Sequence, residues 1–92
     1  MIVSFADKDT EALFHGHCER RWTSIGRVAR RKLVQLHAAA TLSFLASPPG
    51  NRLELLKGGR AGQFSIRIND QFRVCFCWDD GHAHAVEIVD YH

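Results

Sequence analysis

The sequence predicts an α+β domain in which N-terminal helices pack on one face of a small, mostly antiparallel, twisted sheet. Apolar residues recur at three- and four-residue spacing over residues 25–40, which is the period of an amphipathic helix. They recur at every second position over residues 64–78, which is the period of a strand. The Asp80-Gly81 pair between two such runs is a strong signal for a tight hairpin. We expect a single domain over residues 1–92.

The N-terminal segment is predicted to hold a short strand and a short helix. Residues 2–5 form an apolar run that suits a strand. Asp7 or Asp9 supplies the N-cap of the helix, because an aspartate side chain accepts a hydrogen bond from a free amide of the first turn. Residues 15–21 are polar and basic, which is typical of a connection.

The main helix is predicted to begin near Thr23 or Ser24, either of which can be its N-cap. Its apolar residues share one face, and three arginines fall mostly on the opposite face: Arg27, Arg30 and Arg31. A further helical turn is expected over residues 42–45. Residues 47–51, with two prolines and a glycine, end it.

The C-terminal half is predicted to form successive antiparallel strands joined by tight turns. The helices cover only one face of this sheet, so alternation places Arg67 and Arg73 on the uncovered face. Two arginines there fit the geometry of phosphate and of single-stranded RNA. A surface salt-bridge network with Glu54 or Glu87 is an equal alternative.

The composition and the start of the chain exclude several classes of protein. The chain is 46% hydrophobic and 24% charged, which is ordinary for a globular domain. No apolar run approaches the roughly 18–20 residues that cross a bilayer, and no signal peptide is visible, so we expect a cytoplasmic protein without membrane contact. Three cysteines, two of them only two positions apart, make a poor disulfide framework, and we expect buried free thiols.

The net charge of +2 hides an uneven distribution. Residues 19–32 carry six basic residues and one acidic residue, a balance of +5. Residues 52–73 carry five basic and two acidic residues, a balance of +3, and residues 78–92 carry four acidic residues and no Lys or Arg. Clustered positive charge suits a phosphate backbone or an acidic protein partner, and it does not choose between them.

Two further segments contain candidate functional groups. The glycine-rich loop over residues 57–62 carries Lys57 and Arg60, and its backbone can approach a phosphate closely, although a flexible hairpin loop is the simpler interpretation. Its spacing is not that of a nucleotide-binding P-loop. At the C-terminus, His92 stands beside Tyr91 and Asp90, a combination suited to proton transfer near neutral pH, with a solvated tail as the alternative.

Metal binding is not expected, although two candidate clusters exist. Residues 15–18 contain three possible ligands, and Cys75 and Cys77 with His82 and His84 make a zinc site across a hairpin geometrically conceivable. Stoichiometric metal in the purified protein would identify a zinc-binding protein instead.

Several stretches in order and spacing resemble the RelE-like toxins of bacterial toxin–antitoxin systems, most closely the HigB group. They are residues 49–54, 56–62, 64–67, 71–76 and 89–92. The resemblance implies a RelE/ParE-like, microbial-RNase-like fold. It also implies a ribosome-dependent mRNA endoribonuclease that inhibits translation and growth without a metal or cofactor.

The resemblance also implies roles for individual residues. Arg73 matches the arginine that holds the scissile phosphate, and Lys57 and Arg67 match basic positions around the site. Some relatives have a histidine at the position of Glu54, so a role for Glu54 as base is inferred from chemistry alone. The C-terminal active-site residues of the family correspond to Asp90, Tyr91 and His92.

The expected reaction is attack of the RNA 2′-hydroxyl on the adjacent phosphate. The implied partners are a helix-turn-helix antitoxin of the HigA type, the ribosome with mRNA in its A site, and operator DNA through the antitoxin complex only. The arginines at 27, 30 and 31 are expected to contact ribosomal RNA or, equally, an acidic antitoxin segment. The alternative is a non-catalytic binding toxin or corepressor, for example one directed at gyrase.

Overall fold

The computed structural model describes residues 1–91, and within them a helical N-terminal half precedes a four-stranded antiparallel sheet. The sheet order follows the chain order, β1-β2-β3-β4. This arrangement confirms the predicted α+β class. The helices are α1 (Lys8–Phe14), α2 (Gly26–Ala38) and α3 (Leu42–Ala46), and the strands are β1 (Glu54–Leu55), β2 (Phe64–Arg67), β3 (Phe72–Asp79) and β4 (His82–Asp90).

The N-terminal residues run parallel to β4 instead of forming a regular strand. Two isolated bridges, between Ile2 and Ala83 and between Phe5 and Val86, replace the strand expected over residues 2–5. The ladder is interrupted at Ala85, where β4 has a bulge and a positive φ of 51°. The Ala85 amide therefore bonds to the Ser4 hydroxyl at 2.8 Å, outside a backbone ladder.

One of the two predicted helix starts is confirmed and the other is wrong. Asp7 caps α1, and its Oδ1 accepts a hydrogen bond from the Thr10 amide at 2.7 Å. The main helix begins later than predicted, at Gly26, and neither Thr23 nor Ser24 caps it. A short 3₁₀ turn over Arg20–Trp22 comes first, and the Thr23 hydroxyl donates to the Arg20 carbonyl of that turn at 2.8 Å.

The core lies between α2 and one face of the sheet. The apolar side of α2 is fully buried at Ala29, Leu33 and Leu36. Opposite it lie side chains that alternate along the strands, as the two-residue period predicted. These include Ile66 of β2, Val74 and Phe76 of β3, and Val86 and Ile88 of β4.

The hairpin between β3 and β4 has the predicted two-residue turn. Asp80 and Gly81 both have positive φ angles, 51° and 79°. This backbone matches the twist of the flanking strands, so the turn sets the register of the two longest strands. In that register Arg73 faces Val89, and Cys75 faces Glu87.

None of the helices formed within residues 1–91 has the length and apolar character needed to cross a membrane.

Candidate active site

Arg73 lies on the sheet face that the helices leave uncovered. It is the register partner of Arg67 on the neighbouring strand, as alternation predicted. Its side chain is only 14% exposed, because it is held at two points. The Nε–H group donates to the Ser65 hydroxyl at 2.7 Å, and an Nη2–H group donates to the Arg52 carbonyl at 2.7 Å. Among residues 1–91 no hydrogen bond uses the Nη1 group of this guanidinium. The N–H groups of Nη1 can therefore donate to an anion.

Glu54 stands beside this guanidinium at the edge of the sheet. Its Oε1 lies 3.8 Å from Arg73 Nη2, and its side chain is 57% exposed. Arg52, Leu53, Glu54 and Arg73 line a cleft of about 330 Å³. A carboxylate and an arginine fork thus face the same small space, where one can accept a proton while the other binds a phosphate.

The salt-bridge alternative is also present in the structure, as separate pairs. Arg73 pairs with Glu54, and Arg67 pairs with Asp70 across the β2–β3 turn. Arg60 pairs with Glu87 at 2.8 Å. This hydrogen bond raises the pKa of the Arg60 guanidinium against the opposing effect of burial. Ion pairs this exposed to solvent contribute little to stability, so stability alone does not explain why several arginines lie together here.

Arg60 and Tyr91 border a second cleft on the same part of the sheet. It measures about 430 Å³ and is lined by Arg60, Val89, Asp90 and Tyr91. The Tyr91 side chain is exposed, and its amide donates to the Gln71 carbonyl at 2.6 Å. Because Arg73 faces Val89 in the register, the two clefts are neighbours. Each cleft is bordered by an arginine that can bind a phosphate of an extended nucleic acid chain.

Asp90 is held at the end of β4, opposite Phe72 in the register. Alternation puts Asp90 on the opposite side of β4 from Val89, and at the sheet's rim it still borders the second cleft. Its Oδ2 accepts a hydrogen bond from Gln71 Nε2 at 3.1 Å. Of the remaining predicted residues, Lys57 is exposed in the loop between β1 and β2, and His92 lies outside the described residues.

The three arginines of α2 belong to the helix layer and line a different cleft from Arg73. Arg27, Arg30 and Arg31 are exposed, and none of them forms an ion pair within residues 1–91. They border a groove of about 620 Å³ that also exposes the side chain of Val34 and reaches Leu13. The surface of this groove is part basic and part apolar.

Sequence reasoning missed the residues that hold Arg73. Ser65 is fully buried, and it shares the face of Arg73 because it is the register partner of Cys75. Alternation along β2 would have found it. No sequence pattern identifies the Arg52 carbonyl as a partner of Arg73. Arg52 has a left-handed backbone conformation, which is uncommon for a residue other than glycine.

The conceivable zinc site across the β3–β4 hairpin is not assembled. Cys77 faces His84, whereas Cys75 faces Glu87 and is fully buried. Over residues 1–91, no three His, Cys, Asp or Glu side chains converge where they could hold a metal ion.

Cys75 should be protected from thiol reagents in the native protein. Burial raises the pKa of its thiol, so at pH 8 it stays protonated and unreactive. We expect Ellman's reagent to modify the exposed Cys18 promptly and Cys75 only as fast as the protein unfolds. Peptide mass spectrometry after a timed reaction distinguishes the sites, and Cys18→Ser should remove the fast phase. Rapid native labelling of Cys75 would contradict the burial described here.

The chain is similar to known toxins over most of its length. The family model described as the RelE-like toxin HigB of type II toxin–antitoxin systems matches residues 3–92. Toxin HigB-1 of Vibrio cholerae serotype O1 is 42% identical over 85 residues, which are 90% of either chain. An uncharacterized protein of Haemophilus influenzae is 32% identical over 62 residues, 67% of this chain and 61% of that protein.

Solved structures share the fold at lower sequence identity. The YoeB–YefM complex from Staphylococcus aureus contains a chain with a TM-score of 0.57 and 18% identity, covering 100% of this chain and 98% of that one. The YoeB dimer from the same organism gives a TM-score of 0.57 and 20% identity, covering 100% and 97%. At this identity the likeness establishes the fold alone.

Proposed function

The chain belongs to the RelE-like HigB toxins of type II toxin–antitoxin systems, and from this premise we propose that it is a ribosome-dependent endoribonuclease that cleaves mRNA. The observation that carries the proposal is the Arg73 fork, held on an uncovered sheet face with Nη1 available and Glu54 at 3.8 Å.

The proposed reaction is attack of the RNA 2′-hydroxyl on the adjacent phosphate. Arg73 binds the phosphate and stabilises the negative charge that builds on its oxygens in the transition state. Arg67 and Lys57 add positive charge around it, and Arg60 binds the neighbouring backbone in the second cleft. The nucleophile belongs to the substrate, so this chemistry requires no metal-bound water.

Proton transfer is assigned to the carboxylates and to the C-terminal histidine. Glu54 is next to Arg73 and accessible to solvent, which suits removal of the 2′-hydroxyl proton. His92 and Asp90 are proposed to serve the leaving 5′-oxygen. Tyr91, with an exposed ring at the second cleft, is proposed to stack on a base.

We also propose a helix-turn-helix antitoxin of the HigA type as the partner, with the complex binding operator DNA and repressing its own operon. The toxin of known structure in the YoeB–YefM complex is bound to an antitoxin. On this chain the α2 arginines offer a basic surface in a different cleft from Arg73, suited to ribosomal RNA phosphates or to an acidic antitoxin segment. Their apolar neighbour Val34 adds an anchoring point that a protein segment can use.

The test of the activity is primer extension on a defined mRNA after incubation with the purified protein. We expect discrete cuts within the translated region when the mRNA is on ribosomes, and intact RNA when ribosomes are left out. If the mRNA stays intact in both reactions while expression of the protein still stops growth, the nuclease proposal is wrong. A non-catalytic toxin that blocks its target by binding would then account for the growth arrest.

A further inference from the structure

A buried polar network lies behind the sheet edge that carries Arg73. Its centre is Asn51, which is fully buried at the end of the 3₁₀ turn Pro49–Asn51. The Asn51 Oδ1 accepts a hydrogen bond from Lys32 Nζ, and the Nδ2 group donates to the Leu45 carbonyl at 3.0 Å and to Gln35 Oε1 at 3.2 Å. Both amide N–H groups and the oxygen are thus satisfied, which holds Asn51 in one position between α2 and α3.

Lys32 adds to this network an unusual group for the interior of a small protein. Its side chain is only 7% exposed, and burial, followed by the nearby charges of Arg31 and Arg67, lowers the pKa of its ammonium group. Lysine is almost never this buried without a polar partner. Its partner here is the Asn51 side chain. The 3₁₀ turn that carries Asn51 packs against β2, the strand that bears Ser65 and Arg67.

The next residue along the chain, Arg52, has a left-handed backbone, with φ 45° and ψ 56°. This conformation is uncommon for a residue with a side chain, and it persists where the surroundings impose it. The residue before it, Asn51, is fixed by its three side-chain hydrogen bonds. In its left-handed conformation Arg52 presents a carbonyl that accepts a hydrogen bond from the Nη2–H of Arg73 at 2.7 Å.

We propose that Asn51 and Lys32 are positioning residues for Arg73, acting through the left-handed carbonyl of Arg52. Together with the Ser65 hydroxyl, that carbonyl holds one edge of the guanidinium and so sets the direction of the opposite, unpaired edge. The expected effect on catalysis rests on the proposed cleavage function. The expected effect on the position of the Arg73 guanidinium does not rest on it. A misplacement of about 1 Å at a phosphate-binding group typically costs about 10²-fold in rate.

The direct test is the NMR signal of the Arg73 Nε–H group, which the hydrogen bond to Ser65 should protect from exchange with water. In Asn51→Ala we expect this exchange to become at least about tenfold faster, while the backbone amides of β2 and β3 keep their native positions. In the ribosome reaction the same variant should lower kcat by about 10²-fold with little change in KM. A residue that only stabilises the fold would change neither the exchange of one side chain nor kcat in the folded protein.

A second pair of variants leaves the buried network intact. Arg52→Val and Arg52→Asn remove the same charge, but valine resists the left-handed conformation and asparagine accepts it. We expect faster Arg73 Nε–H exchange and slower cleavage with valine than with asparagine, and Arg73 exchange close to the wild-type value with asparagine. This pair decides the question if Asn51→Ala does not fold.

Unchanged Arg73 exchange in both Asn51→Ala and Arg52→Val, in folded protein, would overturn the proposal. If wild type cleaves no RNA, the proposed function fails, yet the exchange measurement still decides whether Asn51 and Lys32 position Arg73.

Discussion

Arg73→Ala is expected to lower the rate of mRNA cleavage by about 10²–10³-fold, the usual cost of losing one donor that stabilises a developing oxyanion. The substitution removes one of the two arginines that line the Arg52–Glu54 cleft, the one whose guanidinium is held by Ser65 and by the Arg52 carbonyl. It also leaves the buried Ser65 hydroxyl without its donor, which we expect to cost about 1–3 kcal/mol of stability. Circular dichroism must therefore show that the variant is folded at the assay temperature.

Three companion variants make the result specific. Lys8→Ala also removes one positive charge, from an exposed position on α1, and should cut at the wild-type rate. Arg73→Lys keeps the charge but not the fork, so it should recover only part of the activity. Deletion of His92 should cost about 10²–10⁴-fold if it transfers a proton. Wild-type cutting by folded Arg73→Ala would remove Arg73 from the proposed mechanism.

Phe76→Ala should have the largest effect on stability, a loss of about 3–5 kcal/mol. Phe76 is fully buried beneath the helices, with ring centroids of Phe64 at 6.1 Å and Trp78 at 6.3 Å. Truncation removes both ring contacts and leaves a cavity that the surrounding strands cannot close. Because small domains are stable by about 5–15 kcal/mol, the variant should be near its unfolding midpoint at modest urea concentrations.

The matched control is the same substitution at an exposed position. Phe44 lies on α3 with 50% of its surface exposed, and alanine there also favours the helix, so Phe44→Ala should change stability by less than about 1 kcal/mol. Equilibrium urea unfolding of both variants compares their free energies of unfolding, provided that these free energies fall with urea concentration at the same slope. Similar losses for the two variants would mean that Phe76 is not at the centre of the core.

Much of the fold was predictable because its signals are local. The Asp7 cap depends on an amide three residues away, and the Asp80-Gly81 turn depends on the positive φ angles that these two residues accept. Alternation along β2 and β3 was enough to place Arg67 and Arg73 on the uncovered face. The α+β class followed from the change of period between the two halves of the chain.

The start of α2 and the N-terminal strand were mispredicted for reasons that lie outside their own segments. The buried Trp22 sits in a 3₁₀ turn ahead of α2, which delays the helix to Gly26. Residues 2–5 lie beside β4 at the bulge at Ala85. The hydrogen bond between Ser4 and Ala85 joins residues that are 81 positions apart in the sequence. Neither partner is visible in a short window of sequence.

The sequence by itself determined which residues are candidates for the site: the arginines of the uncovered face, Glu54, the basic loop and the C-terminal residues. Only the tertiary structure decided how they are arranged. Arg73 is held by Ser65, 8 residues before it, and by the carbonyl of Arg52, 21 residues before it. These contacts depend on strand register and on the left-handed backbone conformation of Arg52. Such constraints arise from packing between distant segments, and local propensity carries no information about them.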